Sequence, residues 1–401
     1  MQNHTEKKEC RVCDSSRLKL VLDLNKQPLA NSFSSSRDEE LEAFPLQLNL
    51  CEECFHLQLS VKVDPALLFK NYLYVSGTTE SLHEYFRKFA ADCEDYGDKK
   101  NRSVLDIACN DGTQLDKFKE LGWETYGVDP AENLYPLSSP NHNIVCDFWN
   151  EEVASYFNKS FDLITAQNVF AHTDDIYSFL KGCLTVMNED STLIIQTSQA
   201  DMIENNEFDT IYHEHLSFFN SRSMKKCLNN AGLSLINIHK TPIHGNSYVF
   251  AAKKGALDEE VADGIIKEEE KKGLYSLETY TKYASRCIEV TSQLKKLLDK
   301  YKSEGKSIVG YGAAAKGNTL LNFAEIKLDY IVDDNPLKWD KYSPGSKIPV
   351  VDPTRLESEN PEHLVVVPLA WNFFEEIKKR TENIIKEKVS YVRYFPTVET
   401  I

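Results

Sequence analysis

Residues 104–129, VLDIACNDGTQLDKFKELGWETYGVD, constrain this chain more than any other stretch. Val104, Leu105 and Ile107 form a short apolar run, and Asn110, Asp111 and Gly112 make a turn. A helix-like segment follows, and a second strand-like run over 125–128 ends at Asp129. Apolar runs on either side of a helical pattern predict a strand, turn, helix, strand unit with an acid at the tip of its second strand. Backbone N–H groups at such a helix start take an anionic group, and the later carboxylate takes two ribose hydroxyls, so the unit suits a nucleoside cofactor. A dinucleotide fingerprint would place GxGxxG at the first turn, whereas here Gly112 stands behind Ala108, Cys109 and Asn110. We read the stretch as an S-adenosylmethionine (SAM) site, with Asp106, Asn110, Gly112 and Asp129 as candidate cofactor residues. Any parallel-sheet unit with a surface acid shares the pattern, because fold does not fix function.

The same alternation continues from about 101 to 254 through VLDIA, TYGVD, NIVCDF, FDLITAQNVF, STLIIQTS, LSLINIHK and SYVFAAKK. This predicts a doubly wound sheet whose ligands lie beyond the carboxyl ends of its strands. Asp147 and Phe148 follow a strand there, as an acid and a ring beside an adenine or as a helix cap and a core phenylalanine. Asn168, Phe170 and His172 follow the strand FDLITA, at the ligand edge or in a plain polar loop.

Cys10 and Cys13 form one CxxC, and Cys51 and Cys54 another. Four thiolates in two such knuckles make the sulfur set zinc prefers in a closed structural site, an iron–sulfur cluster or free thiols being the alternatives. Such a site has no open position for chemistry and serves to staple a small domain. His56, just beyond, reads as a surface histidine. The polar amino terminus and the absence of a long apolar run point to a cytoplasmic protein with no membrane segment. A net charge of -16 works against nucleic acid and anionic membrane as partners. Residues 61–100 read as a connecting helical segment around NYLYVSGTTESLHEYF, where Tyr72 and Tyr74 suit a core.

IYHEHLSFF puts Tyr212, His213, Glu214 and His215 in consecutive positions between Ile211 and Leu216. A neutral imidazole with a pKa of about 6.5 accepts a proton readily near neutrality. A neighbouring carboxylate can fix its tautomer, and a phenol can hydrogen-bond a developing oxyanion. A solvated polar loop is the plain alternative; a helical zinc pair is not, because HEH lacks the i, i+4 spacing. Charged helices are expected from 255 to about 303, their charges a solvated face. The sequence then returns to strand and turn in SIVGYGAAAKGNTLLNF, LDYIVDDNP and HLVVVPLAWNFF, a second, smaller parallel-sheet domain. Its turn departs from GxGxxG, and Lys316 at the helix start suits a phosphate-bearing ligand or a charged contact.

Taken together, the paired CxxC, QPLANSF, YLYVSGTT, DIACNDGTQL, GVDPAENL, NVFAHTDD, YHEHLSFF, GYGAAAKGNTLLNF, DDNPLKWDKYSPGSKIPV and LAWNFFEEI resemble the sugar C-methyltransferase family, over nearly the whole chain. The resemblance implies an α/β protein in three parts. These are a zinc-binding domain at 1–75, a central Rossmann-like class I methyltransferase domain at 76–255, and a helical linker with a smaller Rossmann-like domain, without dinucleotide binding, at 256–401. It implies SAM and Zn2+ as cofactors and a nucleotide-linked keto-deoxysugar as substrate. A proton leaves the carbon beside the ketone, and that carbon takes the methyl group. On this reading His215 is the base, with Glu214 and Tyr212 as supports. Asn168, His172, Lys316 and Tyr72 or Tyr74 contact the sugar or diphosphate, and Asn110, Gly112 and Asp129 go to the cofactor. The family commonly has a glycine pair before a serine late in the central domain; here His244, Gly245, Asn246 and Ser247 stand there, which leaves the sugar open. An oxygen- or nitrogen-directed methyltransferase, a non-catalytic zinc module and a nicotinamide-dependent reductase are the competing readings.

Overall fold

Side-chain alternation decides the central sheet. The computed structural model describes residues 3–69, 75–78, 80–96, 102–243 and 245–401. By internal contacts the chain divides into two compact units, one of 1–19, 49–200 and 216–275, the other of 20–48, 201–215 and 276–401.

The first unit holds β1 (Ser103–Ile107), β2 (Glu124–Val128), β3 (Asn143–Val145), β4 (Phe161–Gln167), β5 (Met187–Thr197), β6 (Leu233–Thr241) and β7 (Ser247–Lys254). All seven stretches read as strands form one sheet, in the order 3-2-1-4-5-7-6. Strands β1 to β5 are parallel, and β7 runs antiparallel to both β5 and β6. Successive side chains point to opposite faces. Val104, Leu163 and Ile194 therefore pack on one side with Phe89 of α1 (Glu80–Asp92) and Phe118 of α2 (Thr113–Glu120). Leu105, Ile164, Leu193 and Ile195 pack on the other, with Phe179 of α3 (Ile176–Thr185) and Met224 of α4 (Ser221–Asn230).

The cysteine knuckles join this second face. Cys10, Val12, Cys51 and Cys54 belong to the same buried cluster as Phe170, Phe219 and Met224. Arg11, 3 % exposed, donates from Nε to Asp174 at 3.0 Å and from a terminal nitrogen to the Leu59 carbonyl at 2.8 Å. The Val12 carbonyl accepts from the Tyr177 hydroxyl and from Asn230 Nδ2. His56 is corrected here: it is fully buried, not a surface histidine. The strand Leu57–Leu59 pairs antiparallel with Ser217–Phe218, which brings the Ser217 hydroxyl to 3.2 Å from His56 Nε2 and the Phe219 ring against the imidazole. Burial lowers its pKa to about 3, so the ring is neutral.

One charge of the helical run is not solvated either. Glu269 lies on α5 (Glu260–Lys271) and is 5 % exposed. It accepts from the Ser221 amide and hydroxyl and from the hydroxyls of Tyr248 and Tyr275. Four donors offset the cost of burying the carboxylate and tie α5 to α4 and β7.

The second unit contains α6 (Leu277–Ser303) and another seven-stranded sheet. Its strands are β8 (Ser307–Tyr311), β9 (Tyr330–Val332), β10 (Lys341–Tyr342), β11 (Pro349–Val351), β12 (Leu364–Pro368), β13 (Ser390–Arg393) and β14 (Glu399–Thr400), in the order 10-11-9-8-12-13-14. The inner five are parallel, and β10 and β14 cap the edges antiparallel. Helices α7 (Ala315–Phe323) and α8 (Phe374–Ile385) follow β8 and β12. The mixed α/β fold expected from the sequence is borne out. Among the described residues no helix is long and apolar enough to cross a membrane.

Candidate active site and metal centre

The metal centre is built from the two turns that CxxC spacing creates. Sulfurs of Cys10, Cys13, Cys51 and Cys54 all lie within 4.8 Å of one another. Cys10 and Cys54 are 3.6 Å apart, as are Cys13 and Cys51. Tetrahedral Zn–S bonds of about 2.3 Å require sulfurs about 3.8 Å apart, so the donor set fits zinc. The other six cysteines are free thiols, Cys146 exposed and five buried.

Three of the cofactor candidates, Asn110, Gly112 and Asp129, lie together at the carboxyl edge of the first unit's sheet. After β1 the chain turns through Ala108 and Asn110, both at positive φ, and reaches Gly112 at φ 84°, the residue before α2. A Cβ at Gly112 would sit 3.0 Å from the His142 ring, so both conformation and space demand glycine. His142 is held below it by Thr125 Oγ1 at 2.8 Å and Asp116 at 3.1 Å. Asp129, 9 % exposed, accepts the Asn110 amide on Oδ2 and the Ala131 amide on Oδ1, each at 2.8 Å. A carboxylate has about four acceptor positions, so two amides still leave capacity for two hydroxyls. Burial raises its pKa while both amides lower it. Ser76 and Gly77 donate their amides to Asn110 Oδ1 and Asp111 Oδ2, both at 2.9 Å, and so overlay the turn.

Asp106 faces inward. Its Oδ1 accepts from Thr165 Oγ1 at 2.7 Å and Gln114 Nε2 at 2.9 Å, and burial pushes its pKa up to about 7. Asp147 is exposed and accepts the amide of half-buried Phe148 at 2.7 Å; Asn150 caps the next short helix instead. Asn168, at φ 55°, follows β4 directly, and His172 closes the adjoining 3-10 turn Phe170–His172. The His172 ring stacks on Phe69 at 5.7 Å and 11°, and burial lowers its pKa to about 4. Tyr72, Tyr74 and His244 lie outside the described residues.

The Y-H-E-H residues belong to the second unit and are not a solvated loop: His213, Glu214 and His215 are 2 %, 3 % and 4 % exposed. His215 Nδ1 lies 2.7 Å from the Thr210 carbonyl, which can only accept. The proton therefore sits on Nδ1, and Nε2 is the basic nitrogen. The Tyr212 ring lies 4.0 Å from the His215 ring, and Glu214 accepts from Asn31 Nδ2 at 2.6 Å. His213 Nε2 is held by the carbonyls of Phe44 and Pro45, both at 3.3 Å. Lys316 lies over the Trp371 ring at 4.6 Å. Sequence reading missed Asn31 as a partner of Glu214, although it stands inside QPLANSF, and missed Trp371, the indole of LAWNF.

Three family models meet the chain in order. One described as "Putative zinc binding domain" matches residues 10–69, one described as "Methyltransferase domain" matches 80–238, and one described as "C-methyltransferase C-terminal domain" matches 242–396. The chain is similar to C-methyltransferase NovU of Streptomyces niveus, at 29% identity over 98% of this chain and 96% of that one. Ubiquinone biosynthesis O-methyltransferase of Rhodopseudomonas palustris (strain TIE-1) is 27% identical over 28% of this chain and 46% of its own. Among solved structures, the SAM-bound magnesium protoporphyrin IX methyltransferase of Synechocystis PCC 6803 matches 44% of this chain and 79% of its own, at 12% identity and a TM-score of 0.32. Added to the glycine turn, the tip acid and the four sulfurs, the domain models make this chain a SAM-dependent methyltransferase with a zinc-binding segment. The carboxyl-terminal model and the full-length relative narrow it further: it is a C-methyltransferase.

Proposed function

We propose that the acceptor is a nucleotide-linked keto-deoxysugar and that His215 removes the proton beside its ketone. The observation that supports this most directly is the Nδ1 bond of His215 to Thr210, which leaves the basic lone pair on Nε2 in a buried setting. SAM supplies an electrophilic methyl group on sulfonium, with the Asn110, Gly112 and Asp129 edge as its binding site. The chain's own residues supply the rest. Nε2 of His215 takes the proton, and Tyr212 hydrogen-bonds the enolate oxygen. Glu214 balances the imidazolium. The sugar carbon then bonds to the methyl carbon as the sulfur–methyl bond breaks, and the proton remains on His215. Asn168, neutral His172, Lys316, Asp147 and Phe148, with Tyr72 or Tyr74, belong to the same reading as sugar, diphosphate or adenine contacts. The sugar class rests on the motif resemblance. General base catalysis is worth about 100- to 10,000-fold, and oxyanion stabilisation a similar factor.

The test is mass spectrometry of the protein incubated with SAM and a panel of nucleotide-linked 4-keto-deoxysugars, with solvent deuterium exchange followed on the sugar. His215→Ala is expected to bind SAM normally while losing both methyl transfer and exchange. Normal exchange in that variant removes His215 as the base, and a methyl group found on oxygen or nitrogen overturns the enolate route.

A further inference from the structure

The second unit carries a buried polar assembly just upstream of His215, and of its members the reaction as described uses Lys316 but neither Asp209 nor Trp371. Asp209 is fully buried within the turn Phe208–Thr210. Its Oδ2 accepts from Trp371 Nε1 at 2.8 Å. Trp371 opens the turn that follows β12, and its ring lies under the ammonium of Lys316, 4.6 Å away, in the first turn of α7. Lys316 and the indole N–H both favour the ionised carboxylate, against a burial that pushes Asp209 up to about 6. Phe208 is wedged between the rings of Phe323 and Phe395, at 5.5 and 5.6 Å.

The residue after Asp209 is Thr210, whose carbonyl holds His215 Nδ1. On the far side the Thr319 hydroxyl, also from α7, shares its proton between the Ala315 carbonyl of its own helix at 3.3 Å and the Ile211 carbonyl at 3.4 Å. The residues on either side of the carbonyl that sets the tautomer are thus bonded from the turn after β12, by Trp371, and from α7, by Thr319. Within the segment the Ile211 amide donates to the Phe208 carbonyl at 3.0 Å, and a 3-10 turn of three residues has few bonds of its own.

We propose that Trp371 and Asp209 are a positioning pair that holds the Thr210 carbonyl in place and so fixes the proton of His215 on Nδ1. The inference rests on the reading of His215 as the base, and it gives the carboxyl-terminal sheet a part in the reaction. Trp371→Phe keeps the ring beneath Lys316 and removes only the donor. The first readout is the His215 tautomer in the 15N-labelled full-length protein, from long-range 1H–15N correlations assigned by their loss in His215→Gln. It needs no substrate.

The wild type is expected to show protonated Nδ1, and Trp371→Phe a mixture of tautomers. On whichever panel sugar is methylated, kcat should fall about 100-fold, the scale of a 1 Å misplacement, with KM for SAM unchanged. If Trp371→Phe melts early, Asp209→Leu carries the same readouts. Asp209→Asn, which keeps an acceptor for the indole, should restore the tautomer; a loss as large as that of Asp209→Leu would make charge, not geometry, the agent and overturn the proposal. A folded Trp371→Phe with protonated Nδ1 and wild-type kcat overturns it outright. Failure of the base reading looks different: His215→Ala would still exchange the sugar proton.

Discussion

Two sheets in this chain end their second strand on an acid, and the two acids are treated differently. Asp129 follows β2 and accepts the amides of Asn110 and Ala131. Asp333 follows β9 and accepts the amides of Ala313 at 2.6 Å and Asn335 at 2.8 Å, the same arrangement in the second unit. Beyond that they part. Lys338 Nζ lies 3.2 Å from Asp333 and donates to the Ala313 carbonyl at 2.9 Å, so an internal cation occupies the tip of that sheet. Among the described residues no cation pairs with Asp129. On the proposed reading Asp129 takes ribose hydroxyls, and a carboxylate with that task must leave acceptor positions open; one that carries its own lysine is a structural joint. The acids share a place in the fold and differ in their partners, and it is the partners that separate the two roles proposed for them.

That contrast can be broken or sharpened by experiment. The largest effect should come from zinc. Its knuckle shares a buried core with the first sheet, so a chelator or Cys51→Ser should lower the calorimetric transition of the first unit by about 10 °C. A shift confined to the second unit's transition would contradict that packing. Next, Asp129→Asn should weaken SAM binding about 100-fold by titration calorimetry, because two charge-assisted bonds are lost, whereas Asp333→Asn should leave it unchanged. Equal losses in both variants would erase the distinction between the acids.

A smaller effect follows from His56. Its folded pKa of about 3 lies below the ordinary value of 6.5, so below pH 6.5 the unfolded chain binds a proton that the native state refuses. Stability should fall as pH drops from about 6.5 towards 3, and His56→Gln should flatten that slope in denaturant melts at several pH values. The smallest is Lys338→Met, expected to cost about 1 to 2 kcal/mol by leaving Asp333 with amides only, with SAM affinity unaltered.

Legibility in the sequence followed the range of the interactions. All seven central strands could be read because alternation is local, and the four cysteines because CxxC presets each turn. His56 could not, since Ser217, its partner, lies 161 residues on. Glu269 looked like one more charge in EEEKK because nothing nearby announces the hydroxyls of Ser221, Tyr248 and Tyr275. The chemistry of YHEH was visible as residue types. Its tautomer was not, because that depends on where the Thr210 carbonyl is held. Residues 201–215 sit between stretches of the first unit in sequence, yet their contacts place them with 20–48 and 276–401.

This interleaving sets a limit on how the gene can be cut. The second unit is assembled from three separate pieces of chain, so a stop codon after residue 275, at what looks like a natural joint, strands 20–48 and 201–215 without their partners. Recombining the carboxyl-terminal half with that of a relative would likewise pair Asn318 and Trp371 with a foreign Ala30 and Asp209. Exchange between such genes has to carry all three pieces together, and that binds the evolution of the paired strands at 20–48, the histidine segment and the last 126 residues into one inheritance.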